Sequence, residues 1–423
     1  MTALLRRLID IKPEEVRAAL WSCAYFFFVL ASYYILRPIR DDAGVAGGIK
    51  NLPWLFTGTM IAMFLVNPPF AALVARLPRK RFIPIAYRFF VVNLVVFFFL
   101  FQYLPQDSRV WVGRIFYIWT SVFNLFVVSV FWGFMADAFD SGQGKRLFGF
   151  IGVGGTLGGI VGPAITATLT TTLGIAGLLL VSAVLLELSV FCVRRLSSIF
   201  ALPDASRPEK ASGDEVIGGG MMDGLTNVLR SPYLLGIGLY MLLYTIGSTF
   251  LYFQQANIVG QARTDSATRT VLFAQIDLAV NVFTVVVQVL FTGRIMKWLG
   301  VAGTLAVVPA LSILGFLGLG FLPSIGMLVA FLVLRRGGNF ALARPSREVL
   351  YTVVPREDKY KAKSFIDTVV YRFGDQVGAW ATPLLTALGL SMTGVALVAA
   401  PLSALWLVTG YWLGRKQQAM VSS

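Results

Sequence analysis

The sequence predicts an all-α polytopic membrane protein of about twelve transmembrane helices in two pseudo-symmetric six-helix bundles. Three observations predict it. First, 57% of the 423 residues are hydrophobic and only 13% are charged, against roughly 25% charged in a soluble domain, and mean hydropathy is +0.75. Second, apolar runs such as 21–36, 83–104, 234–251 and 395–413 approach the ~20 residues a helix needs to cross ~30 Å of hydrocarbon. Third, the basic residues fall mainly in alternate short loops between those runs.

The predicted spans, in order, are 17–37, 52–75, 82–104, 110–135, 147–171, 174–196, 233–257, 269–293, 301–322, 325–350, 362–388 and 391–413. The first is no cleavable signal. It is too long, and it ends in Leu36-Arg37-Pro38-Ile39-Arg40 where a small-residue cleavage site would stand. One set of loops carries Arg6, Arg7, Lys12, Arg17, Arg76, Arg79, Lys80, Arg81, Lys145 and Arg146, and then Arg194, Arg195, Arg294, Lys297, Lys361, Lys363 and Arg415. The other carries only Arg37, Arg40, Lys50, Arg109, Arg263 and Arg269. The positive-inside rule then puts both termini in the cytoplasm, and the expected location is a bacterial inner membrane. Trp21, Trp54, Trp111, Trp298 and Trp412 near span ends read as interfacial anchors.

Residues 197–231 are the one long polar break, with Pro203, Pro208, Glu209, Lys210 and Gly218-Gly219-Gly220. They are expected to link an N-terminal bundle, 1–196, to a C-terminal one, 232–423. Three matches relate the halves at offsets between 217 and 222. Ile11-Lys12-Pro13 resembles Arg230-Ser231-Pro232. Leu73-Val74-Ala75-Arg76-Leu77-Pro78 matches Ile295-Met296-Lys297-Trp298-Leu299-Gly300. Lys145-Arg146-Leu147-Phe148 resembles Ala362-Lys363-Ser364-Phe365. Together they argue for a parallel six-plus-six duplication.

Several function classes drop out. The formal charge of +15 would suggest a nucleic acid in a soluble protein, but these positives follow the membrane topology, so no nucleic acid polymer is expected. There is no histidine. That removes Ser–His and H-E-x-x-H intramembrane hydrolases, and Gly374-Asp375 stands without a second catalytic aspartate motif. Gly142-Gln143-Gly144-Lys145-Arg146 lacks the phosphate-cradling spacing. No enzyme activity, cofactor or metal is called for. Cys23 and Cys192, both inside apolar spans, read as small buried residues.

The loop 71–83 resembles the signature between spans 2 and 3 of the major facilitator superfamily. Leu73, Arg76, Arg79 and Lys80 fit it, while Ala75 stands for its aspartate and Ala71 and Pro78 for its glycines. Gly158-x-x-x-Gly162-Pro163 resembles the G-x-x-x-G-P of that superfamily's antiporters; ordinary small-residue packing explains it equally. Tyr33-Tyr34-Ile35-Leu36-Arg37-Pro38-Ile39-Arg40-Asp41, Phe131-Trp132-Gly133-Phe134 and the run 145–154 resemble motifs of the non-mitochondrial ATP/ADP translocases of plastids and obligate intracellular bacteria. Pro38 replaces an acidic residue there, and Trp119-Thr120-Ser121 lacks an expected glutamate. The resemblance implies alternating-access exchange of a nucleotide or another anion, with Arg40 in the place of a nucleotide-binding lysine.

Charges at bilayer depth persist where they face a cavity, a partner or the interface. The candidate substrate-binding set is Arg37, Arg40, Arg88, Arg114, Arg335, Arg336, Asn339 and Arg372. Guanidinium forks suit phosphate and carboxylate oxygens. Arg336, Asn339 and Arg344 share a face at helical spacing, as do Arg372 and Asp375. The alternative is that the arginines pair with Asp277, Glu187, Asp367 and Asp375 and only fix helix packing. Candidate coupling or gating residues are Asp41, Asp277, Asp375, Arg76, Arg79, Lys145 and Arg146. Asp277 and Asp375 would also serve a second reading, proton-coupled export of a drug-like or natural-product molecule. The expected partners are a small anionic solute and the lipid bilayer, met by a monomer.

Overall fold

The structure is a computed structural model. It describes residues 11–76, 79–200, 226 and 228–422, without the side chains of 71–81, 141, 145, 356–360 and 422. Most of the expected linker 197–231 lies outside the described residues, as do the side chains of Arg76, Arg79 and Lys145.

Among the described residues every regular element is helical. In chain order they are α1 (Val16–Ala46), α2 (Leu52–Arg76), α3 (Arg79–Tyr103), α4 (Gln106–Ala138), α5 (Ser141–Phe200), α6 (Pro232–Ala262) and α7 (Ser266–Leu290). Then come α8 (Thr292–Phe321), α9 (Ile325–Gly338), α10 (Arg344–Leu350), α11 (Arg356–Phe365), α12 (Tyr371–Ala387) and α13 (Met392–Ser422). Two π-helical turns complete rods: Asn339–Ala343 joins α9 to α10, and Ile366–Val370 joins α11 to α12.

Among the described residues, ten segments are long and apolar enough to cross a membrane. The 60-residue α5 is two helices joined at Gly174, whose φ of 67° only glycine adopts cheaply. The rod through α12, which carries Arg372 and Asp375, is not among the ten. Trp54, Trp111, Trp298 and Trp412 are exposed, as membrane anchors are, whereas Trp21 packs edge-on against Phe191.

The chain forms two compact units. One comprises residues 1–48, 57–208 and 263–278; the other comprises 49–56, 209–262 and 279–423. In the first, α1 lies along α5 so closely that side chains have no room. A methyl on Gly154 would meet the Cys23 carbonyl, one on Gly158 the Phe27 carbonyl, and one on Gly162 would sit 2.7 Å from the Ala31 carbonyl oxygen. Glycines four apart thus let two backbones touch. Phe26 stacks on Phe131 at 4.1 Å between ring centres, and the Tyr25 and Tyr87 hydroxyls share a 2.6 Å hydrogen bond.

The second unit repeats this packing with its own residues. Gly374 and Gly378 of α12 stand 220 positions after Gly154 and Gly158. A methyl on Gly374 would strike Thr245 of α6, and one on Gly378 would lie 2.8 Å from Thr249 Cβ. Each half therefore packs its first long helix against a glycine stripe on its fifth. The offset agrees with the three sequence matches between the halves.

Candidate functional site

The second unit contains a pocket of about 250 Å³ lined by Met241, Tyr244, Asn339, Phe340, Arg344, Arg347, Asp367 and Tyr371. Three rods build it, and their geometry puts it at depth. Tyr244 stands twelve residues into the 31-residue α6, about 18 Å from its start at 1.5 Å per residue. Both π turns border it. One supplies Asn339 and Phe340, the other Asp367. A π turn adds a residue to the helical turn and recurs at functional sites.

Each polar lining group has a distinct setting. Asn339 Nδ2 donates to the Tyr244 hydroxyl at 2.9 Å. Arg347 is nearly buried; its Nη1 donates to the Met241 sulfur at 2.7 Å and its Nη2 lies 3.2 Å from Asp367 Oδ1. Neither Arg347 Nε nor Asp367 Oδ1 has a hydrogen-bond partner among the described residues. A thioether is a weak acceptor, so Arg347 is poorly satisfied for so buried a cation. Its Nε–Nη2 edge is the fork that matches a carboxylate or phosphate in bidentate fashion. Arg344, exposed on the same wall, has no acidic partner among the described residues. Two guanidiniums against one carboxylate leave the pocket with a net positive charge.

Arg335 lies beside this pocket and outside its lining. It is 1% exposed and meets no carboxylate among the described residues. Its Nε donates to Ser312 Oγ at 3.0 Å, Nη1 to Ser248 Oγ at 2.9 Å, and Nη2 to the Tyr244 carbonyl at 3.1 Å. The rings of Tyr244 and Trp406 flank the guanidinium, with its carbon 5.4 and 5.6 Å from their centres. Gly247 makes room: a Cβ there would lie 3.0 Å from Nη2. The guanidinium thus grips Tyr244 by backbone and ring, and Tyr244 in turn holds Asn339. Arg335, expected to bind substrate, is placed as a support for residues that line the pocket.

The other expected residues fall in several places. Arg336 is half-buried outside the pocket lining, although Asn339 and Arg344 from the same predicted face line it. The extra residue of the Asn339–Ala343 turn rotates Arg344 relative to Arg336, and regular spacing cannot foresee that. Arg372 sits 3.5 Å from Asp375, which also accepts from Thr249 at 3.5 Å. In the first unit Arg37 pairs with Asp277 at 3.3 Å. Arg40 pairs with Asp41 at 2.7 Å and lies over the Tyr117 ring. Asp42 holds Arg269 at 2.6 Å and also accepts from Ser266. Arg114 donates to the Gly47 carbonyl and lies over Trp111.

Arg88, expected to line a cavity, pairs instead with Glu187 at 2.6 Å, both side chains about half exposed. Its neighbours Ile85, Phe89 and Val92 are exposed and apolar, as on a lipid-facing stripe. At the start of α1, Glu15 accepts from Arg146 at 2.8 and 3.0 Å, from Gln143 and from the Lys12 amide. Arg347 and Asp367, central to the pocket, were missed as site residues. The available signal was a second arginine three residues after Arg344.

The sequence profile of the Major Facilitator Superfamily matches residues 17–370. The chain belongs to that superfamily. It is a multi-pass membrane transporter. It is 22% identical to ADP,ATP carrier protein 1 of Chlamydia trachomatis, over 88% of this chain and 82% of that protein. It is 21% identical to ADP,ATP carrier protein 2 of Chlamydia pneumoniae, over 92% of this chain and 87% of that one. Among solved structures, a bacterial homologue of the iron transporter ferroportin in an inward-facing state has a TM-score of 0.66. That likeness, at 14% identity over 94% of this chain and 99% of the other, concerns the fold alone.

Proposed function

We propose that this superfamily transporter exchanges a small organic anion, with adenine nucleotides the first class to test. It would act as a monomer in a bacterial inner membrane, with both termini cytoplasmic, exposing its binding pocket alternately to the two sides. The orientation rests on the loop asymmetry of Lys and Arg. The observation that carries the anionic substrate is the Arg344–Arg347 wall. Two guanidiniums face a pocket whose one lining carboxylate already lies against Arg347. Tyr244, Phe340 and Tyr371 add aromatic surface on which a planar group can pack. At about 250 Å³ the pocket suits the anionic end of a nucleotide or a whole smaller organic anion. The relatives named ADP,ATP carriers and the resemblance at 33–41 support starting with nucleotides.

The test is counterflow into proteoliposomes. Vesicles preloaded with ADP should accumulate labelled ATP or ADP, and the Arg344→Ala/Arg347→Ala double variant should not. Wild-type vesicles that exchange no nucleotide but do exchange a smaller phosphorylated or carboxylated metabolite would retain the anion and discard the nucleotide.

A further inference from the structure

The Arg347–Asp367 contact is an unusual ion pair for so sheltered a place. The guanidinium is the fixed partner: it is nearly buried and held at Met241. The carboxylate is the more open one, with 31% of its side chain exposed. It stands on the Ile366–Val370 π turn, in the pocket wall facing α10. The two approach at 3.2 Å without forming a directed hydrogen bond, since Asp367 Oδ1 and Arg347 Nε both lack a partner among the described residues. Asp367 therefore neutralises Arg347 while leaving most of its hydrogen-bonding capacity unused.

We propose that Asp367 is a built-in counter-ion that competes with the transported anion for Arg347. This rests on the reading of the pocket as an anion site. In the empty pocket the carboxylate offsets the desolvation cost of a sheltered cation. An arriving carboxylate or phosphate oxygen pair takes the Nε–Nη2 fork of Arg347, with Arg344 as its second contact, and Asp367 turns away into the pocket opening. Part of the binding energy is spent in breaking the internal pair. The bound state is then less deep, and the anion can leave on the other side, where Asp367 returns. A carrier needs binding strong enough to select and weak enough to release, and an internal competitor supplies the second requirement.

The experiment is titration calorimetry of the purified full-length protein with ADP and, separately, inorganic phosphate, together with counterflow rates in proteoliposomes. Asp367→Asn removes the competing charge at nearly constant shape. It should bind the probe about 1.5- to 5-fold more tightly, the worth of a partly exposed ion pair, while exchange slows because release slows. Asp367→Glu keeps the charge and should restore wild-type affinity within about twofold. Weaker binding by Asp367→Asn, with Arg347→Ala also weak, would overturn the proposal and make Asp367 a direct ligand of a cationic or donor group on the substrate. Unchanged affinity in Asp367→Asn would overturn it as well. If the wild type binds neither probe and exchanges no phosphorylated or carboxylated metabolite in counterflow, or if Arg344→Ala and Arg347→Ala bind as the wild type does, the anion-site reading itself falls and the proposal with it. A melting temperature for each unliganded variant separates misfolding from lost binding, and Asp367→Glu serves should Asp367→Asn fail to fold.

Discussion

Arg347 and Arg335 share a helical rod and differ in what satisfies them. Arg335 spends three donors on two serines and a carbonyl and lies between two aromatic rings. Arg347 is left with a thioether and an oblique carboxylate. The first arrangement is a finished structural joint and the second has capacity for a ligand. Arg347→Ala should therefore lower anion affinity about 10- to 100-fold, the loss of a charge-assisted bidentate contact, with little change in melting temperature. Arg335→Lys keeps charge but cannot span Ser312, Ser248 and the Tyr244 carbonyl together. It should cost stability, and it should weaken anion binding only through loosening of Tyr244 and Asn339. Differential scanning fluorimetry with and without ligand distinguishes the two. The sequence showed that these arginines lie at membrane depth. It named Asp277, Glu187, Asp367 and Asp375 as possible partners but did not assign each to its arginine, because most of the pairings join helices distant in the chain: Arg88 meets Glu187 and Arg37 meets Asp277.

Glu15 adds a residue-scale prediction outside the membrane spans. Burial alone would raise its carboxyl, but hydrogen bonds from Arg146, the Lys12 amide and Gln143 outweigh burial and hold it below the ordinary glutamate value. A depressed carboxylate contributes stability above its unfolded value and loses it as pH falls through the folded one. The first unit should therefore lose stability through this group as pH falls through its lowered folded value. Glu15→Gln should be less stable at neutral pH and should show a flatter acid limb in a pH series of melting curves.

At the scale of elements, the glycine stripes and the π turns do different work. Gly154, Gly158 and Gly162 remove side chains where α1 and α5 touch, and Gly374 and Gly378 do the same between α6 and α12. Gly158→Ala and Gly378→Ala should each destabilise by about 1–3 kcal/mol through overpacking, and their melting shifts should be similar because the contacts are repeats of one another. The stripes were legible as a four-residue spacing, and so was the G-x-x-x-G-P resemblance. Their packing role is the one the coordinates display. The π turns were not legible, since the residues of 339–343 and 366–370, Asn339 and Asp367 included, fit a regular α-helix as well as a π turn. They decide which arginines reach the pocket. Deleting one residue from 339–343 should restore α-helical register, turn Arg344 and Arg347 by about 100° and abolish ligand-induced stabilisation while leaving helical circular dichroism unchanged.

For the whole molecule, composition and loop charge were enough to read an all-helical membrane protein, because the bilayer leaves few ways to satisfy a backbone; that it is a transporter came from the family resemblance. The internal repeat was legible from three loops, and the helix pairs restate it at an offset of 220. The location of the pocket was not legible, because it is built by the second unit's own three rods and by side chains that the N-terminal motifs do not mention. The central claim is that an anion binds between Arg344 and Arg347. The most direct measurement is calorimetric titration of the purified protein with ADP at two ionic strengths, for the wild type and for Arg344→Ala/Arg347→Ala. The account predicts saturable binding to the wild type that weakens with salt, as for any partly exposed charge contact, and none to the double variant. Equal binding by both proteins would contradict it.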